Sequence, residues 1–362
     1  MAADALAYMR EKQVHRPESL HLPYDGELRL LNIDTSNDRV LLNEPHSQRD
    51  QELPLRIMSL LNWSANGQNL IFVGVLRDWQ TGTLGPYELS AETSDYRRLS
   101  IWHGHDPSHV RDICMSPNGD YLAYTLVDSV KEFIPETPRH IVIYDMRKEK
   151  LITIAESSRD YFGLVNWSPD GRKLIYKSRT GAKRHLFDVE TETSSQITIT
   201  HGDAATMGIS LDGMCVASPR WSNTGRVLFY MLIGNPPISA RQVVKLNIQT
   251  GDKQYIPGPK GDAPLRVAPA PNNSRIAIQT VKTDSLHNIT HNQVHIVDDE
   301  IEKLVFSTTN KVLVQNLSWS SSDQYLLLEL KIMGRSPELL IIDATTGEEI
   351  HRVEGQHAAW RP

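Results

Sequence analysis

Short apolar runs separated by polar turns fill the chain, and one arrangement of them recurs. In each copy a large apolar residue ends a run, a Ser-Pro-Asp-Gly-like turn follows, and a second apolar residue falls seven positions on. The copies are NWSANGQNLIF from 62, CMSPNGDYLAY from 114, NWSPDGRKLIY from 166, RWSNTGRVLFY from 220, APAPNNSRIAI from 268 and SWSSSDQYLLL from 318. The large residue stands at 63, 115, 167, 221, 269 and 319, and once more at Trp360, two residues before the last. Leu70, Leu122, Leu174, Leu228, Ile276 and Leu326 hold the seventh position. The copies follow one another at intervals of 41–54 residues, the period of a blade-like repeat.

Each part of the phrase predicts local structure. An aromatic at the end of a strand buries a large area between neighbouring sheets. Ser bonds nearby backbone, Pro presets φ, and Gly accepts a positive φ, so the middle of the phrase is a turn. Runs such as LIFVGV and LIYK are then strands. A second hairpin follows in each unit, centred on an apolar pair and an Asp/Thr/Gly turn. It appears as LLNIDTSNDRVLL from 30, VIYDMRKEKLITI from 142, LFDVETETSSQITI from 186, VKLNIQTGDKQYI from 244 and LLIIDATTGEEIHRV from 339. One unit is therefore four antiparallel strands, A to D, in about fifty residues, which is a propeller blade.

The WSPDG-x-x-L phrase, with its apolar-Asp-x-x-Thr-Gly turn, resembles the TolB-type, WD-repeat-like β-propeller repeat over roughly residues 20–362. The resemblance implies an all-β propeller of four-stranded antiparallel blades. It leaves function open, because this repeat occurs in periplasmic translocation proteins, in the propellers of prolyl-oligopeptidase-like enzymes and in binding proteins. Six phrases start six blades, and residues 357–360 supply an inner strand with no successor. Strand-like segments near 18–22, 28–33 and 39–43 supply the other three. A seventh blade closed by the C-terminal strand on N-terminal strands follows, with six blades as the alternative. Residues 17–50 and 355–362 form that closing blade within one propeller domain, 17–362. Residues 1–16 are expected as an arm or short helix.

Composition narrows the classes. Lys and Arg number 38 against 44 Asp and Glu, a net charge of −6, with no long basic run. A primary nucleic-acid ligand is not expected, because phosphate neutralisation needs a concentrated basic surface. Cys114 and Cys215 make neither a disulfide framework nor a CxxC site. The opening MAADALAYMREKQVH lacks the apolar core of a secretory signal, and no run approaches the ~18 residues of a membrane helix. The expectation is a soluble cytoplasmic protein, a monomer or part of a hetero-complex.

Neither a GxSxG elbow nor a phosphate loop is present. Candidate site residues come instead from connections that a propeller gathers on one face, those joining strand D to A and strand B to C. They are His103, His105, Asp106, His109, Arg159, Asp160, His201, Asp203, His357 and Trp79. Trp79 is an aromatic of the kind that anchors interfaces. His103-Gly-His105-Asp106 has the donor types of a metal site, but solvated or partner-contacting loop histidines are the reading adopted, with no metal or cofactor expected. The functional expectation is a non-catalytic scaffold binding a protein partner through this face. A channel-centred metal-dependent lyase or hydrolase, or a small-ligand sensor, is the alternative.

Overall fold

The computed structural model describes residues 4–11, 26–43, 55–64, 66–76, 83–99, 110–127, 139–157, 162–178, 184–198, 203, 215–234, 241–256, 263–272, 274–284, 289–298, 302–309 and 311–362. By its contacts the chain divides into two compact units. The first comprises residues 1–159, 336–339 and 353–362, and the second 160–335 and 340–352. The sheets are seven and four-stranded, each antiparallel where its pairing is described, the blades of a seven-bladed β-propeller.

In the first unit the closing blade has strands β1 (Ala5–Glu11), β2 (Gly26–Asn32) and β3 (Asn37–Asn43), with β28 (Gln356–Trp360) on its edge. The second blade is β4 (Leu55–Trp63), β5 (Asn69–Leu76), β6 (Thr83–Ser90) and β7 (Tyr96–Arg98). The third is β8 (Val110–Met115), β9 (Tyr121–Val127), β10 (Arg139–Asp145) and β11 (Lys150–Ser157). In the second unit the fourth blade is β12 (Phe162–Trp167), β13 (Lys173–Ser178), β14 (Arg184–Asp188) and β15 (Thr193–Gln196). The fifth is β16 (Cys215–Trp221), β17 (Val227–Ile233), β18 (Arg241–Asn247) and β19 (Lys253–Ile256). The sixth is β20 (Ala263–Pro269), β21 (Ile276–Thr283), β22 (Ile289–Val297) and β23 (Glu302–Thr309). The seventh is β24 (Val312–Trp319), β25 (Tyr325–Ile332), β26 (Glu338–Asp343) and β27 (Glu349–Glu354), of which residues 338–339 and 353–354 are counted with the first unit.

The predicted closure by terminal strands is present. Leu6 pairs with Trp360 and Ala7 with Ala359, and the register shifts before Met9 meets Gln356. The expected arm or short helix is corrected, because Ala5–Glu11 is a strand of the closing blade, in the place assigned to residues 18–22. Residues 18–22 lie outside the described residues. A helix of this length has little stability of its own. As a strand, the segment buries Leu6, Ala7 and Tyr8 and pairs with β2 from Ala5↔Asn32 to Glu11↔Gly26. The Tyr8 hydroxyl then donates to Asp38 at 2.9 Å, and the Arg29 guanidinium meets the same carboxylate at 3.1 Å.

The phrase folds the same way in each copy that carries its serine. Ser64, Ser116, Ser168, Ser222 and Ser320 accept the amide five residues on, at 2.8–3.1 Å. The same hydroxyls bond a polar side chain two residues on, Asn66, Asn118, Asp170, Thr224 and Ser322. A positive φ follows at Gly67, Gly119, Gly171 and Gly225, and at Asp323 in the seventh blade. The wedge tryptophans Trp63, Trp167, Trp221 and Trp319 are buried, and Trp360 is half-buried. In the first unit Trp63 packs with Leu28, Leu30, Leu70 and Phe72. In the second, Trp221 packs with Ile175 and Leu228, and Trp319 with Ala268 and Leu326.

Candidate functional site

Two turns of the second blade and two strands of the closing blade make a concave site in the first unit. The turn after Trp63 is fixed by Ser64, whose carbonyl accepts the Gly67 amide at 2.8 Å. In the next hairpin, Ser90 accepts the amides of Glu92 and Thr93 on its hydroxyl. Ala91 N–H donates to the Gln68 carbonyl at 2.9 Å and ties the two turns together.

The closing blade contributes two arginines. Arg39 stands opposite Leu30 in the β2–β3 ladder, and its Nη2 donates to the Ala91 carbonyl. Arg361 follows β28, placed by its own N–H on the Ala5 carbonyl at 2.8 Å. Its Nε donates to the Gly67 carbonyl at 2.7 Å, and its Cζ lies 5.5 Å from the Trp63 ring centroid. Trp63 in turn donates its indole N–H to the Ala359 carbonyl at 3.0 Å. The result is a pocket of about 350 Å3 lined by Leu30, Arg39, Gln68, Asn69, Ser90, Ala91, Glu92 and Arg361.

Its electrostatics are one-sided. A guanidinium carries five N–H donors, and the hydrogen bond from each arginine described above goes to a backbone carbonyl. No carboxylate among the described residues forms an ion pair with either arginine. Glu92 is exposed at the rim. Glu88, on the adjacent strand, is occupied by Asn69 at 2.9 Å and by Arg97 at 2.6–2.7 Å. Such a site suits an anionic group able to bridge two guanidiniums.

Most of the residues singled out in the sequence, His103, His105, Asp106, His109, Arg159, Asp160, His201 and Trp79, lie outside the described residues. Asp203 is described and is fully buried. Its carboxylate accepts from Lys253 Nζ at 2.5 Å and from Tyr255 Oη at 2.7 Å, while Lys253 also reaches the Thr198 carbonyl. Burial, and then the Asp203 charge, push the nearby Tyr230 hydroxyl well above its usual pKa. This is a bonded knot inside the second unit. His357 is exposed and lies within β28, with φ at 51°. Among the described residues no group of three or more His, Cys, Asp or Glu could hold a metal ion, and no helix is long and apolar enough to cross a membrane. Arg39, Gln68 and Arg361 carry no local sequence signal, because only strand pairing brings these distant segments together.

No family model and no curated protein matches the chain. Solved structures do. A prolyl endopeptidase superposes with a TM-score of 0.64 at 10% identity, over 98% of this chain and 50% of its own. The chain thus spans half the length of that enzyme. Oligogalacturonate lyase from Vibrio parahaemolyticus gives 0.59 at 11% identity, over 93% and 91%. TolB from Acinetobacter baumannii gives 0.47 at 14% identity, over 99% and 67%. The likeness is one of fold.

Proposed function

We propose that the chain is a binding propeller that recognises a protein partner by an acidic side chain seated in the pocket between Arg39 and Arg361. The observation that carries this reading is the pair of guanidiniums facing one concave site without a carboxylate partner among the described residues. Arginine at the centre of an interface commonly anchors it, through planar two-pronged contact with a carboxylate. Gln68, Asn69 and Ser90 supply neutral hydrogen-bonding groups around that contact, and Leu30 an apolar floor. Glu92 at the rim favours an acidic residue flanked by a basic one.

Fluorescence anisotropy of a labelled Lys-Glu-Lys-containing peptide tests this against the same peptide with Gln for Glu. The Glu peptide binds at least about tenfold more tightly, and Arg39→Gln or Arg361→Gln removes the difference. Equal binding of the two peptides, or a preference that survives both substitutions, sinks the proposal.

A second reading keeps the partner on the face formed by the D–A and B–C connections. His357 favours it, as an exposed non-glycine residue held at a left-handed φ, a conformation that is retained where function demands it. His357→Gly preserves that backbone and removes the imidazole. Loss of partner binding in this variant alone would favour the second face.

A further inference from the structure

The second unit holds a group of arginines that neither its fold nor the clasp pocket uses. Arg220 is on β16, immediately before the wedge Trp221, and Arg266 is on β20, three residues before Pro269. β16 and β20 are the first strands of successive blades and pack against each other. The Nε of Arg266 is sealed from solvent and has no hydrogen-bond partner. Arg220 makes one long contact, from Nη1 to the Pro219 carbonyl at 3.4 Å. Arg241 reaches toward the same strand, donating from Nη1 to the Pro264 carbonyl at 3.3 Å, with its Nε also sealed and unpartnered. None of the three forms an ion pair with a carboxylate among the described residues.

The surroundings are polar. Arg266 stands directly opposite Gln279 in the β20–β21 ladder. Gln279 is buried, gives its amide N–H to Asn292 at 3.4 Å, and keeps its Oε1 unpartnered. Asn292 passes the chain on to the Val312 carbonyl at 3.0 Å, which sets the orientation of both amides. Gln293 pairs with Thr280, itself opposite Pro264, and its Oε1 is likewise buried without a partner. The unmet donor of Arg266 and the unmet acceptor of Gln279 thus share one face of the β20–β21 ladder, while Gln293, one register position on, lies on the other face.

Arginine does not relieve such a site by deprotonating, since its pKa lies far above neutrality. Burial, and for Arg220 also the like charge of Arg266, push the guanidinium pKa values down. A half-buried positive pair with no acid partner among the described residues is costly until a counter-charge arrives. We propose that Arg220 and Arg266, with Arg241 beside them, form an oxyanion-binding site in the second unit. The ligand is a carboxylate or phosphate that also carries a hydroxyl to meet the Gln279 carbonyl. The guanidiniums supply two-pronged bonds to the anion, and the amide selects against simple halides. The site is separate from the clasp pocket and does not rest on it.

The test uses the full chain and two probes, inorganic phosphate and gluconate, each titrated against chloride at equal ionic strength. The thermal midpoint of the wild type rises saturably with at least one probe, and calorimetry shows binding at the same concentrations. A response to phosphate alone assigns a phosphorylated ligand, and one to gluconate a hydroxylated carboxylate. In Arg220→Gln/Arg266→Gln the half-saturating concentration rises at least tenfold, while Arg39→Gln leaves it unchanged. In chloride alone the double variant melts at or above the wild-type midpoint, because an uncompensated charge pair has been removed. Should that variant not fold, Arg266→Lys keeps the charge, loses the planar fork and weakens binding about tenfold. No response of the wild type to either probe overturns the proposal. So does a response lost in Arg39→Gln but kept in the arginine-pair variants, or a double variant that melts lower in chloride.

Discussion

The clasp in the first unit and the joint between the sixth and seventh blades in the second are built alike from different sequence. In the clasp, Trp63 donates to the Ala359 carbonyl at 3.0 Å, and Arg361 lies over its ring and bonds the carbonyl of Gly67 at 2.7 Å. In the other joint, Trp319 donates to the Ala268 carbonyl at 2.9 Å, and Arg275 lies over its ring and bonds the carbonyl of Asp323 at 2.6 Å. Gly67 and Asp323 are the same turn position, four residues after the wedge tryptophan, and both have positive φ. The cations come from different places: Arg361 follows a wedge tryptophan, whereas Arg275 lies six residues after Pro269. The difference that matters is one carboxylate. Asp323 accepts the Asn272 amide at 3.1 Å and offsets the charge of Arg275. Gly67 offers no such group, so no carboxylate at that turn position offsets the charge of Arg361.

The largest test of this shared design removes the wedges. Trp63→Ala and Trp319→Ala each lower unfolding free energy by about 3–5 kcal/mol in urea denaturation. A cost under about 1 kcal/mol at either site would show that the two joints are not equivalent. Gly355→Ala strikes the clasp alone. The added Cβ would stand 2.5 Å from Tyr8 Cδ2 and 2.9 Å from the Met9 carbonyl, at a cost of about 1–3 kcal/mol.

Exchanging the turn residues sharpens the comparison at smaller energies. Gly67→Asp places a carboxylate beside Arg361 and weakens acidic-peptide binding at least about tenfold, or about 1.4 kcal/mol. Its cost to folding is about 1–2 kcal/mol, set by the left-handed φ of 64°. Asp323→Gly relieves that same strain but loses the Asn272 contact, and stability changes by under about 1 kcal/mol. Peptide binding unaltered by Gly67→Asp would remove the pocket from the binding reading.

The smallest effect concerns acid. The Thr346 amide, against burial and with the Thr345 amide, holds the Asp343 carboxyl below its ordinary range. At Asp188 burial pulls upward, but Lys173 and the amides of Thr191 and Glu190 outweigh it. A lowered folded pKa gives stability that is present above the unfolded value of about 3.9 and is lost as pH falls through the folded value. Asp323, raised chiefly by burial, contributes with the opposite sign. Asp343→Asn keeps the turn, as Asn247 does in the fifth blade by accepting the Gln249 and Thr250 amides. It costs under about 1 kcal/mol at neutral pH and makes acid unfolding below pH ~4 less steep. An unchanged acid limb would contradict the assignment.

How much was legible varies by feature. The blades could be read because turn chemistry is local: Ser, Asp and Gly act on backbone within five residues, and the phrase shows them in order. The strand Ala5–Glu11 was missed because its residues have no strong period of their own and become a strand only between β2 and β28. Arg39 and Arg361 were unreadable for a similar reason, since 322 positions separate residues that line one pocket. Arg220 and Arg266 lie in plain view inside strands, but their lack of acid partners among the described residues is a property of their surroundings.

From sequence alone, the repeat leads to seven four-stranded blades, with six as the alternative, and to a closure shared by both ends, because hydrophobic period and turn residues act over short distances. Only the tertiary structure decides where charge is left uncompensated. Pairing strands from opposite ends of the chain places Arg361 over Trp63 beside a glycine, and packing β16 against β20 half-buries two arginines that have no acid partner among the described residues. Those arrangements depend on which side chains meet, and no local pattern encodes that meeting.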